Sequence, residues 1–473
     1  MSRWPDNLDI DAVVAGRARL DESQALWLLK HADLHDLGAW SRAVADRVHG
    51  DRLRTYVIDR NVNYTNVCSA ACTFCAFKRD LGDDEAYVLS REELHEKIRE
   101  LADIGGTQVL LQGGMHPELP LSFYEEMLAD LRQAFPSIHL HAFSPPEIVE
   151  FVAVCELEGF ERVEPGRGDQ IAPEAWEAKL EEILRRLMKA GLASIPGGGG
   201  EILPDHVRRR IGPGKSTGAQ WLAVMRMAHR LGLNSSATMM FGHIEGLADR
   251  VRHMQMIRDE QDRAIERNLP GRYLSFISWP FQPDHTPLGR LKGHPRGSDE
   301  PFDGDVLAEA VFDGRVDPQD KAACRSVAPE AGRRLRLGGA VDYLRTQALS
   351  RLFLDNIHSI GSSWVTMGPK IGQIGLHFGA NDMGSVMMEE NVVSAAGTTY
   401  CLNEATICRL IRTAGYTPAQ RDNAYRILRE HETDGPDLRV DDWSALRPAD
   451  SEPSEPDGSE PMELSVNVGD SPA

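Results

Sequence analysis

The chain is predicted to be α/β: a (β/α)8 TIM-type barrel with an N-terminal helical extension, a C-terminal helical segment and a disordered acidic tail. Three observations predict it. After Thr55, extended apolar runs alternate eight times with amphipathic stretches, the order that builds a parallel sheet with crossover helices. Polar and glycine-rich clusters fall at the ends of successive runs, where a barrel carries its active site. A length of 473 residues accommodates one large barrel with extensions.

Residues 1–50 read as two or three helices across one end of the barrel, because Leu20, Ala25, Leu28, Leu29, Leu37, Trp40 and Val44 recur at helical spacing. The barrel occupies 51–430. Its strands are expected at 56–64, 108–112, 138–143, 193–196, 235–241, 273–279, 358–364 and, weakly, near 385–388. Helices are expected at 91–104, 122–135, 176–190, 217–231, 247–268, 339–354 and 404–414. Stretches near 159–179 and 290–337 are rich in Gly, Pro and charge and read as insertions. The second should emerge as a loop on the active-site rim. Residues 431–473 read as the disordered tail, since Ala449 to Ala473 holds seven acidic residues and no Lys or Arg.

A formal charge of −20 argues against nucleic acid or an anionic membrane as the main partner. The N-terminal MSRWPDNLDIDAVV lacks the apolar core of a signal peptide. No run approaches the roughly 20 apolar residues of a membrane span. A cytoplasmic setting is expected, in which clustered cysteines bind metal more often than they pair.

Such a cluster exists. Cys68, Cys72 and Cys75 stand as C-x3-C-x2-C directly after the first strand. Thiolates hold iron-sulfur clusters and zinc; small neighbours such as Ser69, Ala70 and Ala71 let backbone fold around a bulky core. Structural zinc wants four protein ligands, and no fourth cysteine is near. Three thiolates on a cubane leave one iron open. The same spacing also lines one face of a helix, so a buried stripe of small side chains is an alternative.

The other clusters follow the barrel rim. Gln112 to His116 closes the second strand, His141 and Ser144 to Glu147 the third, Gly197 to Glu201 the fourth, Gly242 to Glu245 the fifth, and Pro280 to Pro283 the sixth. Gly113 and Gly114 permit close main-chain approach. Gly197 to Gly200 lacks the lysine and Ser/Thr of a phosphate loop, while Glu201 can accept the two hydroxyls of a ribose. Arg208 offers a planar fork for a carboxylate. Tyr64, His243 and Glu245, at strand ends, are candidates for relaying a proton. Gln282, Lys370, Asn381 and Asp382 are candidates for holding an anionic or sugar part of a substrate. Phe143, Met239, Met240, Phe276 and Trp364 would form dry walls.

NYTN followed by the three cysteines, with Phe74 and Phe77 flanking the last, resembles the radical S-adenosylmethionine (SAM) enzymes, in their futalosine-pathway and deazaflavin-synthase branch. SIPGGGGEIL, SATMMFGHIE, WPFQPDHTPLG, SSWVTMGPKIGQ, FGANDMGS and MMEENVVSAAGTT, in order from Ser194 to Thr399, are similar to the cyclic dehypoxanthinyl futalosine synthase family. The resemblance implies a [4Fe-4S] cluster on Cys68, Cys72 and Cys75, with SAM chelated to its open iron. Gly113 and Gly114 would receive the SAM ammonium, Glu201 a ribose and Arg208 the SAM carboxylate. It implies removal of a ribose C4' hydrogen from dehypoxanthine futalosine and cyclisation onto its benzoate ring, in menaquinone biosynthesis. A reductant such as flavodoxin or ferredoxin is expected as partner. Aminofutalosine synthase, a deazaflavin (FO) synthase subunit and, in a different class, a non-catalytic iron-sulfur or zinc protein are the alternatives.

Overall fold

The computed structural model describes residues 4–439, apart from 296 and 399. Its strands are β1 (Leu53–Val57), β2 (Asp59–Asn63), β3 (Gln108–Gln112), β4 (His139–Ala142), β5 (Ser194–Ile195), β6 (Asn234–Phe241), β7 (Tyr273–Pro280), β8 (Lys292–Gly293), β9 (Arg334–Leu335), β10 (Ser359–Gly361), β11 (Asp382–Ser385), β12 (Thr417–Arg421) and β13 (Ile427–Glu430). The run expected as one first strand is broken at Ile58. Its β1 half pairs in parallel with β11 and its β2 half with β3, so the two ends of the parallel series β3-β4-β5-β6-β7-β10-β11 meet on it. This is the (β/α) barrel with helices outside.

The helices begin and end where their chemistry places them. Ser90 accepts from the Glu93 amide while Glu93 reaches back to Ser90, opening Arg91–Asp103; Thr217 and Gln220 do the same for Gly218–Leu231. That second helix stops at Gly232, whose φ of +97° suits glycine. Leu34–His49 packs on Ala340–Phe353, and Glu22–His31 on Leu247–Glu266; the Arg345 guanidinium ties the two layers by donating to the Leu29 and Ala32 carbonyls.

Several expectations need correction. The seventh strand is only Ser359–Gly361, because Trp364 opens the helix Trp364–Met367. The last strand ends at Ser385, where it was expected to begin. The stretch 159–179 ends in the first turns of Pro173–Ala190, entered through Pro173. The stretch 290–337 is more than a loop. It contains Asp303–Phe312, Lys321–Val327 and the short β8–β9 ladder around its own apolar cluster of Leu307, Ala310, Val316, Cys324 and Ala328.

After the helix Glu404–Thr413 the chain is not purely helical. β12 pairs in parallel with β1, and β13 returns antiparallel. Residues 431–439, expected within the tail, pack on the barrel instead: His431 is buried against the Tyr56 hydroxyl at 2.7 Å and Asp437 pairs with Arg412 at 2.8 Å. The rest of that expected tail, 440–473, lies outside the described residues. Among the described residues no helix is long and apolar enough to cross a membrane.

Candidate active site

A cavity of about 480 Å³ runs through the barrel from the cysteine loop to the N-terminal ends of the strands. Cys68, Cys72 and Cys75 line it together at the C-terminal end of β2. Three backbone hydrogen bonds to two separate segments fix their loop: Ser69 N donates to Met115 O at 2.8 Å, Ala71 N to Pro213 O at 2.9 Å and Thr73 N to Ile211 O at 2.7 Å. Gly113 and Gly114 pass beneath it. A Cβ on Gly114 would stand 2.0 Å from the Val67 carbonyl oxygen, and one on Gly113 2.5 Å from the Tyr64 ring, so only glycine allows this approach.

The donor set fits a polynuclear cluster. Three thiols share one cavity wall, and the Met115 amide donates to Cys68 Sγ at 3.3 Å, the kind of bond that tunes iron-sulfur centres. Among the described residues no group of three or more His, Cys, Asp or Glu is placed to hold a single metal ion, which disfavours structural zinc. Burial raises the Cys68 thiol and pushes Cys72 up to about 12; the charge of a bound metal centre reverses that logic and deprotonates the ligand. The cysteines form no helical stripe, being in a loop and partly exposed.

Beside the cysteines lies a cation that sequence reasoning missed. Lys215, its side chain 11% exposed, bonds Glu201 Oε1 through Nζ at 2.8 Å, stands over the Phe74 ring at 5.1 Å and lines the cavity. Glu201 also lines it, in a left-handed conformation with φ of +24°. Its carboxylate is held between Lys215 and Arg208, the latter at 3.4 Å. Arg208 itself is spent on the glycine loop: it donates to the carbonyls of Gly199 at 2.8 Å, Gly200 at 3.1 Å and Ser216 at 2.7 Å. It is absent from the cavity lining, so beside Glu201 the cavity meets Lys215 and not Arg208.

Of the other expected site residues, Gln282 and Asp382 line the cavity, whereas Tyr64, His243, Glu245, Lys370 and Asn381 do not. Tyr64 is buried among Phe123, Tyr124 and Phe143 and donates to Glu147 at 2.6 Å; burial raises its pKa well above the ordinary value. Glu245 accepts from Arg250 at 2.9 Å and from the amides of Gly242 and His243. Burial would raise its carboxyl, but the neighbouring His243 and Arg250 and the Gly242 and His243 amides hold it at about 2; burial in turn lowers His243 from its ordinary value. Asn381 accepts from Arg351 at 2.7 Å and from the Ile360 amide. Tyr64, His243, Glu245 and Asn381 thus brace strand ends, whereas Lys370 is exposed on the helix Pro369–Gly375. Of the expected dry walls, Met240 and Trp364 face the cavity, but Met239 and Phe276 follow the alternation of a strand into the surrounding core, and Phe143 lies outside the lining.

The floor comes from the end of the chain. Arg421 forms a buried two-point ion pair with Asp382, at 2.7 and 2.9 Å, and Asn423 donates to Gln108 at 2.8 Å. Tyr425, with φ of +61°, stands 4.0 Å from the Arg421 guanidinium. All three line the cavity. Three of the six non-glycine residues with positive φ, Glu201, Met387 and Tyr425, therefore border this one space, as strained residues do at functional sites.

Comparison with known proteins agrees with this geometry. Residues 62–257 match the model of the radical SAM superfamily, and 333–433 match the CofH/MqnC C-terminal region. The chain is 37% identical over 414 residues to cyclic dehypoxanthine futalosine synthase of Halalkalibacterium halodurans, covering 88% of this chain and 93% of that one. It is 34% identical to 5-amino-6-(D-ribitylamino)uracil--L-tyrosine 4-hydroxyphenyl transferase of Methanopyrus kandleri, over 90% and 98% of the two chains. The crystal structure of methylornithine synthase shares the fold with a TM-score of 0.57 at 15% identity, over 87% and 97%. The chain belongs to the radical SAM superfamily, in the branch with the CofH/MqnC C-terminal region, and is an enzyme whose cofactors are a [4Fe-4S] cluster and SAM.

Proposed function

We propose that the enzyme converts dehypoxanthine futalosine to its cyclic form by removing the ribose C4' hydrogen and closing that carbon onto the benzoate ring. The observation that carries this reading is the 37% identity to a synthase of that name across nearly the full length of both chains. The cavity supports it: β2 presents Asp59, Asn61 and Asn63 on one wall, while Met240, Ile277, Trp279 and Trp364 supply apolar surface elsewhere. A ribose joined to an aryl group suits such a two-sided space.

When bound through Cys68, Cys72 and Cys75, the cluster and SAM supply a 5'-deoxyadenosyl radical that accepts a hydrogen atom. Gly113 and Gly114 line the cavity beside the cysteines, where SAM would lie, and Lys215 and Glu201 would offer it paired charges. The chain's further task is positioning, which removes much of the entropic barrier, and exclusion of stray hydrogen donors by the apolar wall. Flavodoxin or ferredoxin is the proposed reductant and the cytoplasm the proposed compartment.

The Methanopyrus relative favours a second reading, in which a ribitylaminouracil and tyrosine are the substrates. One experiment separates them. Protein loaded anaerobically with iron and sulfide is given SAM, a chemical reductant and each substrate set in turn. Formation of 5'-deoxyadenosine with a cyclised, dehydrogenated product from dehypoxanthine futalosine, identified by mass spectrometry, is the expected result. A product only from the ribitylaminouracil and tyrosine overturns the first reading.

A further inference from the structure

The inward face of β2 carries Asp59, Asn61 and Asn63 at alternate positions, about 6.6 Å apart along the strand, and all three line the cavity. Asp59 is committed to Gln108 and Ser385, and Asn63 to the Gln112 carbonyl and Asn391. Asn61 differs. Its Nδ2 donates to Glu390 Oε2 at 2.7 Å, but its Oδ1, in a residue only 6% exposed, has no partner.

Glu390 comes from a loop that follows β11 and crosses the cavity, bringing Met387, Val392, Val393 and Ala396 to the lining with it. Neighbouring Glu389 pins this loop from outside, on Arg60 at 2.7 Å and Lys97 at 2.9 Å. The amides of Val392 and Val393 each donate to Glu390 Oε1 at 2.9 Å. That fills Oε1 and leaves one acceptor position on Oε2 and two on Asn61 Oδ1.

Among the described residues no cation forms an ion pair with Glu390. Among the other cavity-lining carboxylates, Glu201 and Asp382 are ion-paired, and Glu147 accepts from Tyr64, the Ser144 hydroxyl and the amides of Gly113 and Ser144. Asn61 and Glu390 are thus an acceptor-rich pair on the polar wall, and leaving the buried Asn61 acceptor unpaired is costly. A ligand with adjacent hydroxyl donors satisfies them.

We propose that Asn61 and Glu390 form the subsite that receives the vicinal hydroxyl groups of the substrate's sugar arm. The identity of that arm as a ribose rests on the function proposed above; the acceptor geometry does not. The subsite orients the sugar along β2 and so directs the aryl end toward the apolar wall.

The test uses cluster-loaded enzyme with SAM and no reductant, so that binding is read without turnover. The Kd of dehypoxanthine futalosine and of its 2'-deoxy analogue is measured for wild type, Glu390→Gln and Lys97→Ala. Glu390→Gln is expected to weaken the hydroxylated ligand about tenfold, the scale of a lost charge-assisted hydrogen bond, and to erase the preference over the deoxy analogue. SAM affinity stays unchanged. Lys97→Ala loosens the same loop from outside and should keep the preference. Unchanged discrimination in Glu390→Gln overturns the subsite, as does a loss of SAM affinity instead. If wild type binds only 5-amino-6-ribitylaminouracil and Glu390→Gln weakens that ligand about tenfold, the subsite stands and the cyclase reading falls. Binding of neither compound overturns both.

Discussion

Cys72 shows how a single residue's surroundings decide its chemistry. Burial pushes its thiol up to about 12, so without a metal it is an inert neutral group; with one it is a thiolate ligand. Because the three cysteines sit in a loop held by backbone bonds from Ser69, Ala71 and Thr73, the side chains can be removed without unfolding their support. Changing any one of Cys68, Cys72 or Cys75 to Ala is expected to reduce bound iron and sulfide to a small fraction of wild type while leaving the far-ultraviolet circular dichroism unchanged. Iron retained at wild-type level in the Cys72 variant would remove it from the ligand set. Lys215 shows the opposite side of the same point: a flexible lysine in GPGKS carries no mark in the sequence, and only the fold places its ammonium 2.8 Å from Glu201. Arg208 had the better fork for a ligand, yet the carbonyls of Gly199 and Gly200 use it.

At the scale of elements, legibility tracks amphipathicity. Arg91–Asp103 and Gly218–Leu231 were readable to within about a residue because a capping pair opens each and one face is apolar. Pro145–Val154 was invisible as a helix: all ten of its residues are buried, so no polar stripe distinguishes it. The rim clusters were correctly ordered along the chain, but a residue at a strand end faces either the cavity or the shell, and alternation decides which. His243 and Glu245 fell outside and the row on β2 inside. The hairpin of β12 and β13 was missed because β13 is exposed throughout and the residues that plug the barrel floor, Arg421, Asn423 and Tyr425, are polar and lie at the end of β12 and in the turn after it. Arg421 and Asp382 make that floor. Removing one partner leaves an uncompensated buried charge, which costs about 3–5 kcal/mol, so Arg421→Met is expected to lower the urea unfolding free energy by that amount. The double change Arg421→Met with Asp382→Asn should recover much of it. Additive losses in the double variant would show that the two groups are not coupled.

The whole molecule carries a further consequence of packing so many polar side chains inside one barrel. His49, His141, His229 and His253 lie at four separate places, none bonded to a carboxylate: their partners are the His358 carbonyl and the Arg351 guanidinium, Ser194, Ser235 and the Leu203 amide. Burial lowers each of them from 6.5 to about 3. The folded pKa is below the unfolded one, so below about pH 6.5 the unfolded chain takes up protons that the folded chain refuses, and stability falls as pH falls toward 3. The slope fades as pH rises above 6.5 and is nearly gone by about pH 7.5. Asp59, Glu147, Glu150 and Glu390, raised by burial, act in the opposite sense at lower pH, so the histidine effect is read best near neutrality. Between about pH 7.5 and about pH 6 each histidine is worth about 0.8 kcal/mol, and the four together about 3 kcal/mol. Urea unfolding of the cluster-loaded enzyme at those two pH values is expected to show a drop of at least that size, since burial also lowers His116, His139, His243, His358 and His377. His229→Gln, which keeps a partner for Ser235 but does not titrate, should shrink it by about 0.8 kcal/mol. A free energy of unfolding that is flat across this range in wild type would mean that these histidines are charged in the folded chain, and that the barrel interior is wetter than its packing indicates.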